Sequence, residues 1–312
     1  MRYHRKLVLG ASLLAFAVLT AACGNDSGGG GNNTTAPPDD IERGTVVVGV
    51  SGAFAESQLV AEMYAQVLEN AGYTVQRQLD LDSRAVGDEA LASGDIDVKP
   101  EYLAFELTAL DEDADNTGTA EEVYPRVQEA AEANGLVALA FSPANSTNAF
   151  VMLPDRATEL GTTTLSDLAD HSDLVLAAPP DCDENYPCQQ GLQEVYGIEF
   201  AEIKKLDSGG PDTVAAVDSG EADVGLLFSL DPTIVQKGYT VLEDDQNLQP
   251  AGNFFALARE EILNGAVEGL LDGVTTSLTT EEMLDMVGRV QVDQEDVADV
   301  ATEYLEDQGL LG

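Results

Sequence analysis

The chain has no tryptophan, two histidines, three cysteines and only 14 lysine and arginine residues among its 312 residues. Against those cations stand 57 aspartate and glutamate residues, which give a formal net charge of −43 at pH 7. Binding to DNA or RNA requires clustered cations, so this shortage excludes nucleic acid as a partner. The acidic residues are spread along the chain, which is typical of a solvated acidic surface. The alternative is a negative field around a ligand site, which would favour cations.

The scarcity of histidine argues against an enzyme. Beyond the N-terminal segment the only histidine is His171, which lies in a polar Asp-His-Ser stretch with no partner implied for nucleophilic catalysis. Glu56 and Glu101 offer carboxylates, but no pattern in the sequence places them next to each other. We therefore expect no catalytic residues, no enzymatic activity and no cofactor.

No apolar run reaches the ~20 residues that a membrane-spanning helix needs. The apolar run Leu7–Leu19 is shorter, follows three basic residues and precedes Ala21-Ala-Cys23. This arrangement predicts a secretory signal peptide over residues 1–22. Its end resembles a bacterial lipobox, in which Cys23 would carry the lipid anchor, although Thr20 stands where leucine is usual. The alternative is an ordinary signal peptide with a chance cysteine. We expect a mature protein anchored by lipid to the extracytoplasmic face of the cell membrane.

The segment after the signal is poor in apolar residues. Residues 23–40 are rich in glycine, asparagine, serine, threonine and proline, which predicts a flexible tether because such a segment cannot bury apolar area. The globular part then begins near Ile41 and is long enough for two lobes rather than one core.

Two cysteines lie close together in the globular part. Cys182 and Cys188 flank the segment Asp-Glu-Asn-Tyr-Pro. In an exported chain such a pair predicts a disulfide, which would hold Tyr186 in a rigid loop. A zinc site is the alternative, but the mature chain has one histidine and no second cysteine pair. We therefore predict a Cys182–Cys188 disulfide and no metal site.

One nine-residue pattern occurs twice. Residues 90–98, ALASGDIDV, recur as residues 216–224, AVDSGEADV. Each copy is typical of a helix end, a glycine stop, an acidic residue and a short buried strand. The repeat indicates two similar α/β lobes, each presenting a loop at the carboxyl end of a strand, where open α/β sheets bind ligands. Coincidence between two common turns is the alternative.

The apolar pattern divides the chain between these lobes. Alternating and β-branched runs predict strands, and amphipathic stretches between them predict helices. The extended run 253–258 is expected to return to the first lobe. We therefore predict lobe 1 at 41–147 plus 250–312, lobe 2 at 148–249, and a hinge made of two chain crossings.

The segments so delimited resemble those of a known family. They are VGVSGAFAE (48–56), GDIDVKPEY (94–102), the cysteine loop with the following VYG (195–197), and the run from GGPDT (209–213) to FSLDP (228–232). The chain is similar to the extracytoplasmic substrate-binding proteins of ABC importers for glycine betaine, choline, carnitine and proline-type osmolytes. The resemblance implies an α/β, two-lobed, type II periplasmic-binding-protein fold with the ligand in a cleft between the lobes. It also implies a permease partner.

The resemblance further implies that aromatic rings surround a quaternary ammonium group, by cation–π attraction. Without tryptophan, this chain must use tyrosine and phenylalanine. The candidates are Tyr102, Phe54, Tyr186 and Phe228, with Thr147 and Asn148 as hydrogen-bond donors at the crossing. Packing in the core, or for Tyr186 an exposed loop position, is the alternative for each ring.

Departures from the family pattern bear on the ligand. Gly52 stands where the family often has lysine, and the cysteine loop carries Asp183 and Glu184 and no arginine. A cation without a carboxylate, such as choline, is therefore expected over glycine betaine, unless Lys99 turns into the cleft. The alternative functions are binding of another small cationic or amino-acid-like solute, or a lipoprotein sensor domain, because a fold does not determine its ligand.

Overall fold

The structure is a computed structural model that describes residues 44–183 and 185–312. The predicted signal peptide, the Cys23 anchor and the tether lie outside the described residues, and they stay predictions. Within the described residues no helix is both long enough and apolar enough to cross a membrane.

Ten strands and eleven α-helices make up the described part of the chain. The strands are β1 (Thr45–Ser51), β2 (Thr74–Leu81), β3 (Val98–Tyr102), β4 (Leu136–Asn145), β5 (Asn148–Met152), β6 (Val175–Ala178), β7 (Glu202–Lys205), β8 (Val224–Phe228), β9 (Thr240–Val241) and β10 (Asn253–Arg259). The helices are α1 (Ala55–Asn70), α2 (Arg84–Ser93), α3 (Leu103–Leu110), α4 (Ala120–Ala133), α5 (Pro154–Leu160), α6 (Gly191–Tyr196), α7 (Pro211–Asp218), α8 (Thr233–Lys237), α9 (Gly265–Ser277), α10 (Thr280–Gln291) and α11 (Val297–Asp307).

The strands form two sheets with the same plan. The first has the order β2-β1-β3-β10-β4 and the second the order β7-β6-β8-β5-β9. In each sheet three parallel strands are followed by an antiparallel one, β10 in the first and β5 in the second. The late strand β10 thus returns to the first sheet, as its sequence pattern predicts. The two sheets are the centres of the two lobes.

The first sheet is buried on both faces, which explains its continuous apolar strands. On β10, Phe254 and Ala256 pack into a core formed with α1, α9, α10 and α11. Their neighbours Phe255 and Leu257 face the opposite side, toward α3 and α4. Successive strand residues point to opposite faces, so a strand between two helical layers has no polar side. Helix α3 begins directly after β3 and was not predicted.

The repeated sequence pattern forms the same turn in both lobes. Gly94 and Gly220 both adopt left-handed backbone conformations, with φ of 82° and 70°. A residue with a side chain is strained there, whereas glycine is not. Each turn joins a helix, α2 or α7, to the central strand of its sheet, β3 or β8.

An aspartate in each copy repeats the same contact. Asp97 accepts a hydrogen bond from the backbone N–H of Val47 at 2.8 Å. Asp223 accepts one from the backbone N–H of Val175 at 2.9 Å. Both bonds connect the start of the central strand to the neighbouring parallel strand. The two copies of the sequence pattern therefore form the same local structure, and their likeness is not a coincidence between two common turns.

The chain passes between the sheets at two adjacent points. The first crossing joins β4 to β5, and the second joins β9 to β10. At their contact the backbone N–H of Ser146 donates to the carbonyl of Gly252 at 3.0 Å. A Cβ atom on Gly252 would lie 1.9 Å from the carbonyl oxygen of Ser146, so this close approach requires glycine. The boundaries of the lobes around these crossings stay a prediction.

Candidate ligand-binding cavity

A cavity of about 450 Å³ lies where loops of both lobes meet, and we call it the interlobe cavity. Its walls come from the ends of β3 and β8, the start of α2, the loop after β1, both crossings and the disulfide loop. Such a volume is in the range of sites for small molecules. The position at the carboxyl ends of the central strands is the one that the repeat predicts.

Most of the predicted ligand residues come together at this cavity. The lining includes Phe54, Tyr102, Thr147, Asn148 and Phe228. Tyr186 is not among the lining residues, although its neighbours Asn185 and Pro187 are, and its side chain is 42% exposed. A role for Tyr186 therefore stays a prediction without geometric support.

Tyr102 is a buried ring held by contacts on several sides. Its ring centroid lies 4.8 Å from that of Phe254 and 6.2 Å from that of Phe105, the latter edge to face. Its hydroxyl shares a hydrogen bond of 2.7 Å with Ser57 and donates to Glu56 at 3.4 Å. Burial and the carboxylate of Glu56 raise the pKa of Tyr102 well above its usual value, so the ring stays neutral. The contacts preorganise this wall of the cavity.

Three other aromatic side chains that line the cavity are exposed to solvent. Phe54, Phe105 and Phe228 are 52%, 40% and 42% exposed. Large apolar side chains are normally buried, and an exposed group of them marks a binding surface. Of these three rings only Phe105 was not selected from the sequence, where it could equally be a core residue; its place on α3 follows from a helix that was not predicted.

Arg84 is the main residue that sequence analysis missed. It is the first residue of α2 and lines the cavity, with its Cζ atom 5.9 Å from the ring centroid of Tyr102 and 5.7 Å from that of Phe105. Its Nε donates to Glu101 at 2.9 Å. Burial by itself lowers the pKa of Arg84, but Glu101 and the nearby Glu106 raise it overall, so the guanidinium stays charged. Arg84 thus brings a basic side chain to the cavity from a position outside the family pattern that the sequence analysis considered.

Lys99 does not turn into the cavity. It is 1% exposed, and its ammonium donates to Glu101 at 3.1 Å, to Glu106 at 3.2 Å and also to Asp88. These three carboxylates form the one group in the described part of the chain that is close enough to hold a metal ion. The ammonium of Lys99 already binds all three, so it takes the place that a cation would need.

The acidic side chains near the cavity have different surroundings. Glu56 lines the cavity and is 8% exposed, and burial raises its pKa although bonds to its own backbone, Ser146 and Tyr102 oppose the shift. Asp231 also lines the cavity. Asp183 instead pairs with Lys205 at 2.7 Å on the surface. Glu184 lies outside the described residues.

Polar groups at the first crossing complete the wall. The backbone of Thr147 is fixed by Ser229, whose hydroxyl accepts from Thr147 N–H at 3.0 Å and whose N–H donates to the Thr147 carbonyl at 2.8 Å. The buried Oγ1 of Thr147 has no hydrogen-bond partner within the described residues. A buried hydroxyl without a partner is costly. Asn148 donates to Gln249 at 2.9 Å.

Comparison with known proteins places the chain in a family. A family model described as the substrate-binding domain of an ABC-type glycine betaine transport system matches residues 44–307. The chain belongs to this family. Its members are substrate-binding proteins of ABC importers, which bind small solutes outside the cytoplasm and work with a membrane permease. The resemblance seen in the sequence is thereby confirmed.

Individual relatives of the family agree with this assignment. The chain is 28% identical over 275 residues to a glycine-betaine-binding protein of Pseudomonas aeruginosa, covering 83% of this chain and 86% of the relative. It is 25% identical over 267 residues to the glycine betaine-binding protein YehZ of Escherichia coli, covering 81% of this chain and 88% of the relative. A crystal structure of a glycine betaine/carnitine/choline ABC transporter has the same fold, with a TM-score of 0.77 at 23% identity. It covers 86% of this chain and 99% of that one. The predicted two-lobed type II fold is confirmed.

The disulfide of this substrate-binding domain is also confirmed. Cys182 and Cys188 are bonded and both are buried. The loop between them reaches the cavity through Asn185 and Pro187. The carbonyl of Pro187 accepts from the side chain of Gln249 at 2.8 Å, which ties the loop to the second crossing. The disulfide thus supports a wall of the binding site.

Proposed function

We propose that this substrate-binding domain captures a quaternary-ammonium osmolyte of the glycine betaine and choline class and delivers it to an ABC permease. The ligand is held in the interlobe cavity without chemical change, so the protein is not an enzyme. The observation that carries the proposal is the group of exposed rings Phe54, Phe105 and Phe228 around the interlobe cavity, which also presents Glu56 and Asp231. The relatives, which are named for binding glycine betaine, support the same ligand class.

The physical basis is cation–π attraction with nearby counter-charge. A quaternary ammonium group cannot donate hydrogen bonds, so aromatic faces and carboxylates are the groups that bind it best. The attraction grows when both partners lose water, as they do between two lobes.

Calorimetric titration of the purified protein with glycine betaine and choline tests the proposal. We expect binding of at least one of them, and we expect Phe228→Ala and Phe54→Ala to weaken it by about 5- to 30-fold, which corresponds to ~1–2 kcal/mol. Val235→Ala is the control, because Val235 is an exposed apolar side chain that does not line the cavity. We expect it to change the Kd by less than about twofold.

If neither osmolyte binds or raises the melting temperature, the proposal is wrong for this ligand class. A thermal-shift screen of amino acids and polyamines then tests the alternative, which is binding of another small cationic or amino-acid-like solute. If the protein binds an osmolyte but no permease subunit can be captured with it, the sensor alternative gains support.

The proposed anchor is tested separately. We propose that Cys23 carries a lipid after removal of residues 1–22 and holds the protein at the extracytoplasmic membrane face; the support is the Ala-Ala-Cys sequence followed by the tether. Cys23→Ala should release the protein into the medium or leave it unprocessed. Fractionation that still finds a processed, membrane-bound protein contradicts the anchor and leaves the ligand proposal untouched.

A further inference from the structure

Arg84 occupies part of the wall that a quaternary ammonium group would use. Its guanidinium lies within 6 Å of the ring centroids of both Tyr102 and Phe105, at 5.9 and 5.7 Å. At this distance a cation is attracted to an aromatic face, so these two rings already have a cation beside them. Among the described lining residues Arg84 is the one basic side chain.

We infer that Arg84 determines ligand specificity: it selects osmolytes that carry an anionic group next to the ammonium, and it disfavours bare cations. The inference rests on the proposed function and names the substrate class within it. It replaces the expectation from sequence that choline is favoured, because that expectation assumed a cleft without a basic residue.

The hydrogen bonds of Arg84 leave its outer edge available. Its Nε donates to Glu101 at 2.9 Å, and the same nitrogen lies 3.8 Å from Glu106. Neither Nη1 nor Nη2 donates a hydrogen bond to any residue that the structure describes. Two parallel N–H groups on a fixed guanidinium match the two oxygens of a carboxylate, so this edge is suited to bidentate binding of an anion.

The same contacts keep the guanidinium in place. Glu101 is 6% exposed and accepts from both Lys99 and Arg84, and Glu106 is fully buried. Moving Arg84 away from the cavity would remove part of the positive charge that balances these buried carboxylates. Leaving buried carboxylates without that charge costs free energy. A cationic ligand would therefore be repelled by a positive charge that stays in the wall of the cavity.

The cavity thus presents both signs of charge. Arg84 is available for an anionic group, whereas Glu56 and Asp231 attract a cationic one. Phe54 and Phe228 are exposed rings that Arg84 does not cover, and they remain for the ammonium. A zwitterion satisfies all these groups, whereas choline leaves the guanidinium without an acceptor and adds a like charge beside it. Specificity of this kind arises as much from repulsion of the wrong ligand as from attraction of the right one.

Titration of the full protein and of Arg84→Gln with glycine betaine and with choline tests the inference. We expect Arg84→Gln to weaken the binding of glycine betaine at least tenfold and to strengthen the binding of choline. The ratio of the two dissociation constants should therefore change by more than tenfold. Arg84→Lys keeps the charge but loses the two parallel N–H groups of the guanidinium. It should weaken the binding of glycine betaine while still disfavouring choline. Arg126→Gln is the control, since Arg126 pairs with Asp115 on the surface and does not line the cavity.

Each other outcome overturns the inference. If the substitution weakens binding of both ligands equally, Arg84 only supports the fold of the site. If it strengthens binding of both, Arg84 only covers the aromatic rings in the empty cavity. An unchanged ratio with both ligands bound shows that Arg84 does not discriminate, and the proposed function then survives. If the unaltered protein binds neither ligand, the proposed function fails together with the inference. Should Arg84→Gln fail to fold, as its melting curve would show, Arg84→Lys decides: weaker binding of glycine betaine with choline still disfavoured supports the inference, and unchanged binding of glycine betaine overturns it.

Discussion

Glu56 is a carboxylate on the wall of the interlobe cavity, and its burial raises its pKa above the usual value of about 4.5. A cationic group placed in the cavity favours the charged carboxylate and so lowers this pKa again. Ligand binding therefore releases a proton in the pH range around the raised pKa. By linkage, the affinity for a quaternary ammonium group must fall as the pH falls through that range.

We predict that acid weakens ligand binding through Glu56. Affinity should decrease as the pH is lowered through the range of the raised Glu56 pKa, and Glu56→Gln should bind more weakly above that range but with little dependence on pH. Glutamine keeps the hydrogen-bonding shape toward Ser146 and Tyr102, so it removes mainly the charge. Calorimetry at several pH values measures this. An equal pH dependence in Glu56→Gln would show that another group is responsible.

Arg84 and Lys99 show how a residue's role depends on its surroundings. Both are cations near Glu101, yet one lines the cavity and the other is fully enclosed by carboxylates. Neighbouring Glu106 is buried against them, and burial with the charge of Glu101 raises its pKa to about 8 although Lys99 lowers it. Two cations beside the same carboxylate therefore have different roles, because only one of them reaches the cavity.

At the scale of elements, the two crossings carry the connection between the lobes. The close contact of Gly252 with Ser146 leaves no room for a side chain. We predict that Gly252→Ala lowers the free energy of unfolding by about 1–3 kcal/mol, since the carbonyl of Ser146 must move. Urea denaturation measures this change.

Gly269→Ala is the matched control for that prediction. Gly269 lies inside helix α9 with nothing near its Cβ position, so alanine there should stabilise by about 0.5–1 kcal/mol. Equal effects of the two substitutions would mean that the crossing tolerates a side chain and is not the tight contact described.

The disulfide loop is the second element with a testable role. The bond closes a short loop, with a sequence separation of 6 between the cysteines. Replacing both cysteines with serine should lower the free energy of unfolding by about 2 kcal/mol, mainly because the unfolded chain regains freedom. It should also weaken ligand binding, since Asn185 and Pro187 line the cavity. A reducing agent should bring the unaltered protein to the stability of the variant and leave the variant unchanged; sensitivity of the variant itself would contradict this cause.

At the scale of the whole molecule, the cavity is shared between the lobes. Each lobe supplies part of the lining, so a bound ligand gains contacts when the lobes approach one another. We predict that the radius of gyration from X-ray scattering decreases when a stabilising osmolyte is added. Sucrose, a neutral osmolyte that carries no cationic group, serves as the control. Binding by calorimetry without any compaction would contradict closure.

The net charge of the whole chain leads to a further prediction. With a net charge of −43, the acidic side chains repel one another in the folded state, and salt screens this repulsion. The melting temperature should therefore rise as sodium chloride is increased from low concentration to about 0.5 M. Potassium chloride at equal ionic strength should act alike if screening is the cause. A melting temperature that falls with salt would mean that the surface ion pairs outweigh the repulsion.

The sequence by itself determined what depends on local order along the chain. β-Branched runs, glycine stops and the repeated ALASGDIDV pattern indicate the strands, their neighbouring helices and the two similar lobes. The spacing of Cys182 and Cys188 indicates the disulfide. These features persist in the structure because strand and helix periodicity, left-handed glycines and short disulfide loops need only nearby residues. For the same reason Tyr102 and Phe228, at the ends of the repeated strands, were found from the sequence.

Only the tertiary structure decided which side chains face the cavity. Arg84 begins a helix of ordinary composition, and nothing in its neighbours along the chain places it beside Tyr102; the packing of α2 against β3 does so. Lys99 is enclosed because Asp88 and Glu106, on two other elements, converge on it. Tyr186 lies outside the lining although both neighbours belong to it. Side-chain direction and charge pairing arise from contacts between distant segments, and those contacts determine the charge balance of the binding site.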